Sequence, residues 1–209
     1  MSNAAARWRL LCLVMLGAFL ALGFAAFTTG LLPGDVVVRQ EVLNGKTGVV
    51  YQFAKWINYA GAWPVLLPGM IALFALSPAA RRRWWLWCVV MLGSGAIQHI
   101  VKFSVGRPRP SGHALGFPSG HTTAATTFAV LLIYFASRER LTRAQLVVVR
   151  TGAVIVMILV GWARIRLNAH WPSDVLGGFL LGTCCVAAAA WWETARENAA
   201  AETGPGSHA

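Results

Sequence analysis

The sequence predicts an all-α protein that crosses a membrane several times. Of its 209 residues, 57% are hydrophobic and only 12% are charged, whereas about 25% charged residues is usual in a soluble domain. Apolar runs without charged residues recur along the chain, and a helix needs roughly 20 mostly apolar residues to span a bilayer. The runs cover residues 10–32, 57–76, 84–101, 122–137, 151–163 and 175–192. We therefore predict six transmembrane helices that form one integral membrane domain over residues 1–209.

The first two spans are separated by the longest polar connection. Residues 10–32 follow Arg7 and Arg9, and this run is too long for the apolar core of a signal peptide, so we interpret it as a retained anchor. We expect residues 33–58 to be an interfacial or partly helical segment on the outer side, and we assign no chemistry to them. In the second span, Pro64 and Pro68 predict a kink or a late start.

The remaining spans differ in how readily they reach bilayer length. The third follows three arginines and begins with tryptophans, which is typical of a cytoplasmic interface; a polybasic protein-docking site is the alternative. The fourth run is long enough if it begins near Ser119, and the fifth if it begins near Leu146 and tolerates Arg150. In the sixth, Gly178 and Gly182 have the spacing that lets helices approach closely, either within the bundle or between chains.

Positive charge sets the predicted orientation. A net charge of +11 is compatible with nucleic acid binding, but most cations lie close to span ends, which favours a lipid bilayer and no nucleic acid partner. With six spans, ten of the 18 Lys and Arg share one side with both termini: Arg7, Arg9, Arg81, Arg82, Arg83, Arg138, Arg140, Arg143, Arg150 and Arg196. By the positive-inside rule this side is cytoplasmic. We therefore expect cytoplasmic termini, a location in a bacterial inner membrane, and a flexible charged tail over residues 193–209.

The four cysteines, Cys12, Cys88, Cys184 and Cys185, all lie inside apolar runs. Their spacing matches neither a metal site nor a disulfide framework. We expect them to pack as small apolar side chains.

Three polar motifs lie at span ends on the predicted outer side. The first begins with Lys102 at the end of the third span and continues to Arg109 and Pro110. A lysine offers a point charge and an arginine offers a bidentate fork, and both are usual partners of phosphate oxygens. Cations at a membrane boundary also simply extend towards lipid headgroups, so this motif alone does not decide between the two interpretations.

The second motif is Phe-Pro-Ser-Gly-His at residues 117–121, where the fourth span begins. Ser119 is suited to cap a helix, and we expect the backbone N–H groups of Ser119, Gly120 and His121 to face the outer surface. A helix N-terminus binds anions, and a glycine lets the anion come close. An ordinary capped helix with an exposed histidine is the alternative.

The third motif runs from Arg164 to Asp174. Asp174 follows His170 by four residues at the start of the sixth span, so its carboxylate can reach back to the imidazole. A carboxylate on one ring nitrogen fixes the tautomer and leaves the other nitrogen free to attack phosphorus. His121 is suited to protonate the leaving alcohol. Asp174 could also cap the sixth helix. The three motifs together predict a phosphate-ester hydrolase at the membrane surface.

The expected site is poor in metal ligands. Asp174 is the one carboxylate that the motifs bring to it, which is too few for a Mg²⁺ or two-metal centre. Fixed cations and N–H donors can stabilise the charge that develops in phosphoryl transfer. We therefore predict a reaction that uses neither a metal nor another cofactor.

These motifs resemble the type 2 phosphatidic acid phosphatase family. The family pattern is Lys-x6-Arg-Pro, then Pro-Ser-Gly-His, then Ser-Arg-x5-His-x3-Asp. It corresponds here to residues 102–110, 118–121 and 163–174, with Ala163 in place of the serine. That departure removes a hydroxyl donor from the expected site.

The resemblance implies both a mechanism and a set of site residues. His170 is expected to form a phosphohistidine, Asp174 to orient it, and His121 to act as the acid. The residues expected to hold the phosphate are Lys102, Arg109, Ser119, Gly120 and Arg164. Arg107, Arg166 and His113 lie outside the motifs, and contacts with a substrate headgroup or roles on the loop surface are both open for them.

The substrate expected from the resemblance is a membrane lipid: polyprenyl diphosphate, phosphatidylglycerophosphate, phosphatidic acid or lipid A phosphate. We favour the polyprenyl diphosphate or a phosphoglycerolipid. One alternative is a vanadium-dependent haloperoxidase, a group that shares the anion-binding arrangement but is larger and soluble. Another is a non-catalytic protein that binds or transports lipid phosphates. The sequence gives no indication of an oligomeric state.

Overall fold

The regular structure of the protein is helical wherever it is described. The computed structural model describes residues 3–44, 47–112 and 115–202. Its helices are α1 (Asn3–Thr29), α2 (Asp35–Leu43), α3 (Gly48–Tyr59), α4 (Trp63–Leu76), α5 (Pro78–Arg82), α6 (Trp84–Val105), α7 (Gly120–Ala136), α8 (Arg143–Arg166) and α9 (Pro172–Glu202). The predicted all-α class is confirmed.

Four helices, α1, α6, α8 and α9, are long and apolar enough to cross a membrane. Helices α3 and α4 are long and apolar enough only when they are taken together, and the chain bends by 51° between them. Helix α7 is apolar but has only 17 residues. Length and composition thus support four or five spans in the described part of the chain. The six spans and the cytoplasmic termini stay predictions.

The bend between α3 and α4 confirms the kink or late start that the prolines predicted. Pro64 lies at the N-terminus of α4, where a missing N–H costs no helical hydrogen bond. Gly61, in the bend, lies against α7: a β-carbon there would stand 2.7 Å from the carbonyl oxygen of His121. The bend therefore brings the α3–α4 pair against the start of α7.

Small residues let α9 pack closely against α7. A β-carbon on Gly178 would lie 2.8 Å from Cβ of Thr122, and one on Gly182 would lie 2.8 Å from Cβ of Thr126. Both distances are well inside van der Waals contact, so only glycine allows this approach. The sequence left open whether these glycines pack within the bundle or between chains. The structure shows that they pack within the bundle.

The cysteines behave as packing residues, as predicted. Cys12 and Cys184 are buried in one small cluster with Ala187, where α1 meets α9. Cys185 and Cys88 are partly buried, and all four thiols are free.

Helix α9 is longer than the sequence suggested. It continues to Glu202, whereas a flexible tail was predicted from residue 193. Glu193 is buried at this end and accepts hydrogen bonds from Arg83 Nε at 2.7 Å and from the hydroxyl of Tyr134. This contact and the alanine-rich composition favour the helix, so the prediction is wrong for residues 193–202. Residues 203–209 lie outside the described part.

The connection between the first two spans contains two helices, as the partly helical interpretation predicted. Helix α2 lies against the connection between α8 and α9. There, Arg39 Nε donates to Asn168 Oδ1 at 2.7 Å, and Arg166 donates to the carbonyl oxygen of Leu43 at 3.0 Å. Asp35, at the start of α2, is buried. We refer to this end of the bundle as the His170 end and to the opposite end as the Glu193 end.

Candidate active site

The predicted site residues meet around one cavity at the His170 end. Its volume is about 430 Å³. The side of α6, the start of α7, the end of α8 and the α8–α9 connection all contribute to its wall. The predicted residues that line it are Lys102, Arg109, Gly120, His121, Arg164 and His170. The two predicted histidines and three predicted cations thus share one cavity, which His99 also lines.

His170 and Asp174 form a buried pair behind this cavity. The distance between His170 Nδ1 and Asp174 Oδ2 is 3.3 Å, and the side chains are 2% and 0% exposed. The same carboxylate oxygen accepts the backbone N–H of Trp171 at 3.0 Å. A carboxylate on Nδ1 leaves Nε2 as the nitrogen able to react. The four-residue spacing therefore brings the two side chains together as expected.

Lys102 and Arg109 are held by the loop that precedes α7. Lys102 Nζ donates to the carbonyl oxygens of Leu115 at 3.1 Å, Gly116 at 3.4 Å and Pro118 at 2.6 Å. Arg109 Nε donates to Leu115 at 3.3 Å. These carbonyls fix the position of the ammonium group, so Lys102 acts on the cavity mainly through its charge.

The start of α7 differs in part from the expectation. Ser119 is the N-cap residue, but its side chain makes no capping hydrogen bond; its hydroxyl oxygen accepts instead from Thr122 at 2.9 Å. The backbone N–H of Ser119 donates to the carbonyl oxygen of Asp174 at 2.9 Å. It is therefore not one of the N–H groups that face the outer surface, because it joins α7 to α9. Gly120 and His121, one residue further on, do line the cavity.

Phe117 anchors this loop in the bundle. Its ring is fully buried and stacks on Phe19 of α1, with ring centroids 5.7 Å apart. On the other side it lies against Gly177 of α9, where a β-carbon would stand 2.5 Å from the ring. The apolar anchor thus holds the polar loop in place between α1 and α9.

Arg164 is oriented by a residue that the motifs do not contain. Its guanidinium donates to Asn58 Oδ1, at the end of α3, at 2.6 Å. Its buried Nε has no hydrogen-bond partner among the described residues. Asn58 lies 106 positions away in sequence, and no local pattern indicated it. Ala163, which replaces the family serine, is fully buried.

Arg107 and Asp35 were missed as parts of the site. Arg107 was expected either at a headgroup or on the loop surface, yet its side chain is 1% exposed. It donates to Asp174 Oδ1 at 2.7 Å and also pairs with Asp35. The sequence analysis was therefore wrong to count Asp174 as the only nearby carboxylate. Arg166 is likewise buried rather than on the surface, and His113 lies outside the described residues.

Electrostatics favour the neutral form of His170. Burial lowers the pKa of His170 to about 4. The hydrogen bond with Asp174 opposes this effect, while the positive charges of Arg164 and Lys102 act in the same direction as burial. Desolvation penalises the imidazolium because its charge loses contact with water. At neutral pH the buried ring is therefore uncharged, which is the form that can attack an electrophile.

Comparison with known proteins places this arrangement in a class of membrane phosphatases. The sequence model of the PAP2 superfamily matches residues 111–198 of this chain. The chain is 34% identical over 170 residues to the decaprenylphosphoryl-5-phosphoribose phosphatase of Mycobacterium tuberculosis, with 71% of this chain and 85% of that one covered. It is 26% identical over 174 residues to phosphatidylglycerophosphatase B of Bacillus subtilis, with 78% and 85% covered.

The fold agrees with two crystal structures. A transmembrane PAP2-type phosphatidylglycerolphosphate phosphatase from Bacillus subtilis superposes with a TM-score of 0.75 at 23% identity, over 88% of this chain and 96% of that one. LpxE of Aquifex aeolicus superposes with a TM-score of 0.65 at 21% identity, over 76% and 95%. The chain belongs to the PAP2 superfamily. It is a multi-pass membrane hydrolase of the phosphatase class, as the motifs predicted.

Proposed function

We propose that this protein removes a phosphate group from the phosphomonoester or diphosphate of a membrane lipid, through a phosphohistidine intermediate and without a metal ion. The observation that carries the proposal is the cavity that His121 and His170 share with Lys102, Arg109 and Arg164. Positive charge holds the phosphate, and the histidines supply a nucleophile and an acid.

Binding of the phosphate rests on charge and on directed donors. Arg109 and Arg164 supply guanidinium N–H groups, and the unpartnered Nε of Arg164 is available to a phosphate oxygen. Gly120 leaves room for the anion at the start of α7, where helix N–H groups favour negative charge. Lys102 adds a fixed positive charge from the side of α6.

The chemical steps then use His170 and His121 in turn. Nε2 of His170 attacks phosphorus, a nitrogen–phosphorus bond forms, and the bond from phosphorus to the lipid oxygen breaks. The negative charge of the bound phosphate favours the protonated form of His121, and His121 in that form gives its proton to the lipid oxygen. A water molecule next attacks the phosphohistidine and gives a proton to His121, and the nitrogen–phosphorus bond breaks to release phosphate. Asp174 holds the Nδ1 proton of His170 throughout.

The donor set around the cavity supports a reaction without a metal. In the described part of the chain, no three His, Cys, Asp or Glu side chains group as metal ligands would. The cavity is instead lined by three cations, which would repel a divalent ion and attract an anion. Fixed cations can stabilise the equatorial oxygens in phosphoryl transfer.

For the membrane topology we propose six spans with the cavity facing the periplasm of a bacterial inner membrane. The bent α3–α4 pair would count as one span and α7 as another. Seventeen helical residues rise about 26 Å, which approaches the roughly 30 Å of a hydrocarbon core. The loop of residues 115–119 adds length at the end that carries the site, so α7 needs little more to complete a span.

For the substrate we propose a polyprenyl diphosphate or a phosphoglycerolipid. Both carry a terminal phosphate at headgroup depth on an apolar anchor. The names of the relatives support this range, since one acts on a decaprenyl-linked phosphoribose and another on phosphatidylglycerophosphate. The cavity is larger than a lone phosphate requires, so part of the headgroup can enter with it.

The deciding experiment is a phosphate-release assay in detergent micelles with polyprenyl diphosphate, phosphatidylglycerophosphate, phosphatidic acid and lipid A phosphate. We expect release from one of the two favoured classes, no effect of EDTA, and a loss of at least about 1,000-fold in His170→Ala, the scale usual for removal of a nucleophile. His99→Ala is the matched control, because His99 lines the same cavity but is exposed and has no proposed role; it shows whether the loss belongs to His170 or to any histidine in the cavity wall. The proposal is contradicted if His170→Ala releases phosphate as fast as the unchanged chain. It is also contradicted if EDTA abolishes phosphate release and added Mg²⁺ restores it.

A further inference from the structure

A chain of three buried charged groups lies directly behind His170. Arg107 pairs with Asp174 through one terminal nitrogen, at 2.7 Å, and with Asp35 through the other. The three side chains are between 0% and 2% exposed. Burial of three ionised groups is costly unless each is paired and hydrogen-bonded, so an arrangement of this kind calls for a reason beyond stability.

The two oxygens of Asp174 have different partners. Oδ1 accepts from Arg107, whereas Oδ2 faces Nδ1 of His170 and accepts from the backbone of Trp171. A carboxylate is planar, so holding Oδ1 fixes the direction in which Oδ2 points. Arg107 therefore sets the geometry of the contact between Asp174 and His170 without touching the imidazole itself.

Asp35 holds Arg107 from the opposite side and ties it to α9. Besides Arg107, its carboxylate accepts from the backbone N–H of Ser173 at 2.9 Å, the hydroxyl of Ser173 at 2.8 Å and the N–H of Leu32 at 3.1 Å. These contacts leave the Asp35 carboxylate little freedom to move. Arg107 is in this way fixed between two carboxylates that belong to different helices.

The signs of the charges also matter for the chemistry. A single Arg107–Asp174 pair would be neutral, and Arg107 would then offset the attraction between Asp174 and a positively charged ring. Asp35 offsets Arg107 in turn, so the three groups together carry one negative charge. That charge favours the state in which His170 carries phosphate and its ring is positive.

We propose that Asp35 and Arg107 are positioning residues for His170, acting through Asp174. This inference rests on the proposed function, because it assumes that His170 is the nucleophile. A plain mechanical role for α2 is the competing explanation. Arg39 distinguishes the positioning role from the mechanical one. It also links α2 to the α8–α9 connection, through Asn168 at 2.7 Å and through the ring of Trp171, but it makes no contact with Asp174 itself.

The test compares Asp35→Asn, Arg107→Gln and Arg107→Lys with Arg39→Gln in the purified full-length chain. We expect Arg107→Gln to lower kcat about 10- to 100-fold, the range for a misplaced reacting group, with KM changed less than about threefold. Asp35→Asn should act in the same direction but less strongly, and Arg107→Lys should restore part of the loss. Arg39→Gln should lower the unfolding temperature at most, with kcat per folded molecule close to that of the unchanged chain.

The acid side of the pH–rate profile gives a readout that a mechanical role would not move. The charged groups that face His170 are Asp174, Arg164 and Lys102. Removal of Arg107 leaves the negative charge of Asp174 more fully exposed to His170, so the imidazolium becomes easier to form. The acid limb should therefore move to higher pH in Arg107→Gln and stay in place in Arg39→Gln.

The inference is overturned if Arg107→Gln and Asp35→Asn lose no more kcat than Arg39→Gln, or if the whole loss is in KM. It is also overturned if activity merely follows the folded fraction and the acid limb stays in place. Should Arg107→Gln not fold, Asp35→Asn decides by its loss of kcat and by its acid limb, which should move to lower pH because Arg107 then offsets more of the Asp174 charge. If the unchanged chain releases no phosphate, the proposed function itself fails. If the unchanged chain releases phosphate and His170→Ala releases none, a negative result with the Arg107 and Asp35 variants contradicts only the positioning role.

Discussion

Both ends of the bundle bury a carboxylate beside an arginine, but they do so in different ways. At the Glu193 end, Glu193 accepts from Arg83 and Tyr134, and the arginine side chain is 44% exposed. At the His170 end, the arginine is completely enclosed between two carboxylates, Asp35 and Asp174. The first arrangement lets one charge reach water, whereas the second removes all three from it.

The surroundings of the two clusters differ as well. The Glu193 cluster packs on apolar rings, with Tyr134 against Trp8 and Phe135. The cluster at the His170 end lies behind a cavity lined by further cations. The same chemical groups can therefore fasten helices at one end and prepare a reactive site at the other. Changes at the His170 end should cost activity first, and changes at the Glu193 end should cost stability first.

Apart from the loss of His170 itself, the largest expected effect comes from His121, at the His170 end. His121→Gln removes the proposed proton donor of the leaving lipid oxygen, so kcat should fall about 100- to 10,000-fold. The unfolding temperature should change little, because His121 is only partly buried. Phosphate release and thermal unfolding of the same detergent preparation check both statements. If His121→Gln keeps its activity, the statement that changes at the His170 end cost activity first is wrong.

The next effect is a pH dependence of stability that belongs to His170. Burial lowers the pKa of His170 to about 4 from 6.5, so between these values the unfolded chain binds a proton that the folded chain does not. Folding is therefore penalised as the pH falls from about 6.5 towards 4. Unfolding temperatures measured from pH 4 to 7 should fall more steeply for the unchanged chain than for His170→Gln. Parallel curves would refute the effect.

A smaller effect is expected where α7 and α9 connect the two ends. In Gly178→Ala the new methyl group would lie 2.8 Å from Cβ of Thr122 and 3.0 Å from the carbonyl oxygen of Ser119. Overpacking of this kind costs about 1–3 kcal/mol, and displacement of Ser119 should lower activity as well. Gly152→Ala is the matched control, since no atom lies within 4 Å of its β-carbon. Equal stability of the two variants would show that the helices yield easily.

The last effect, at Tyr134 of the Glu193 end, should be confined to stability. Tyr134→Phe removes the hydroxyl that donates to Glu193 and leaves a buried carboxylate oxygen without that partner. The expected cost is about 1–3 kcal/mol of unfolding free energy, with kcat per folded molecule unchanged. Denaturant unfolding and phosphate release check the two parts. A loss of activity in the folded variant would show that the ends are coupled.

The parts of the site that could be predicted are those for which position in the sequence implies position in space. Lys102, His121 and His170 each lie at or near the end of an apolar run, and the ends of antiparallel helices meet at one surface. His170 and Asp174 are one helical turn apart. For these residues, apolar patterning and short spacing were sufficient to predict one shared cavity.

The parts that could not be predicted depend on contacts between distant segments. Asp35 and Arg107 are 72 positions apart, and Asn58 and Arg164 are 106 apart. A single sequence carries no periodicity that joins such residues. The extension of α9 past residue 193 was missed for the same reason, because its support comes from Arg83 and Tyr134. Composition alone suggested a flexible segment there.

The lack of a side chain at Gly61 limits how the site can be changed by mutation. Any other residue would push against the His121 carbonyl and move α7, together with the proposed proton donor that it carries. A position without a functional group therefore restricts the chemistry as firmly as a reactive one. Attempts to redesign the headgroup preference of this enzyme should leave this contact alone and vary the cavity wall elsewhere.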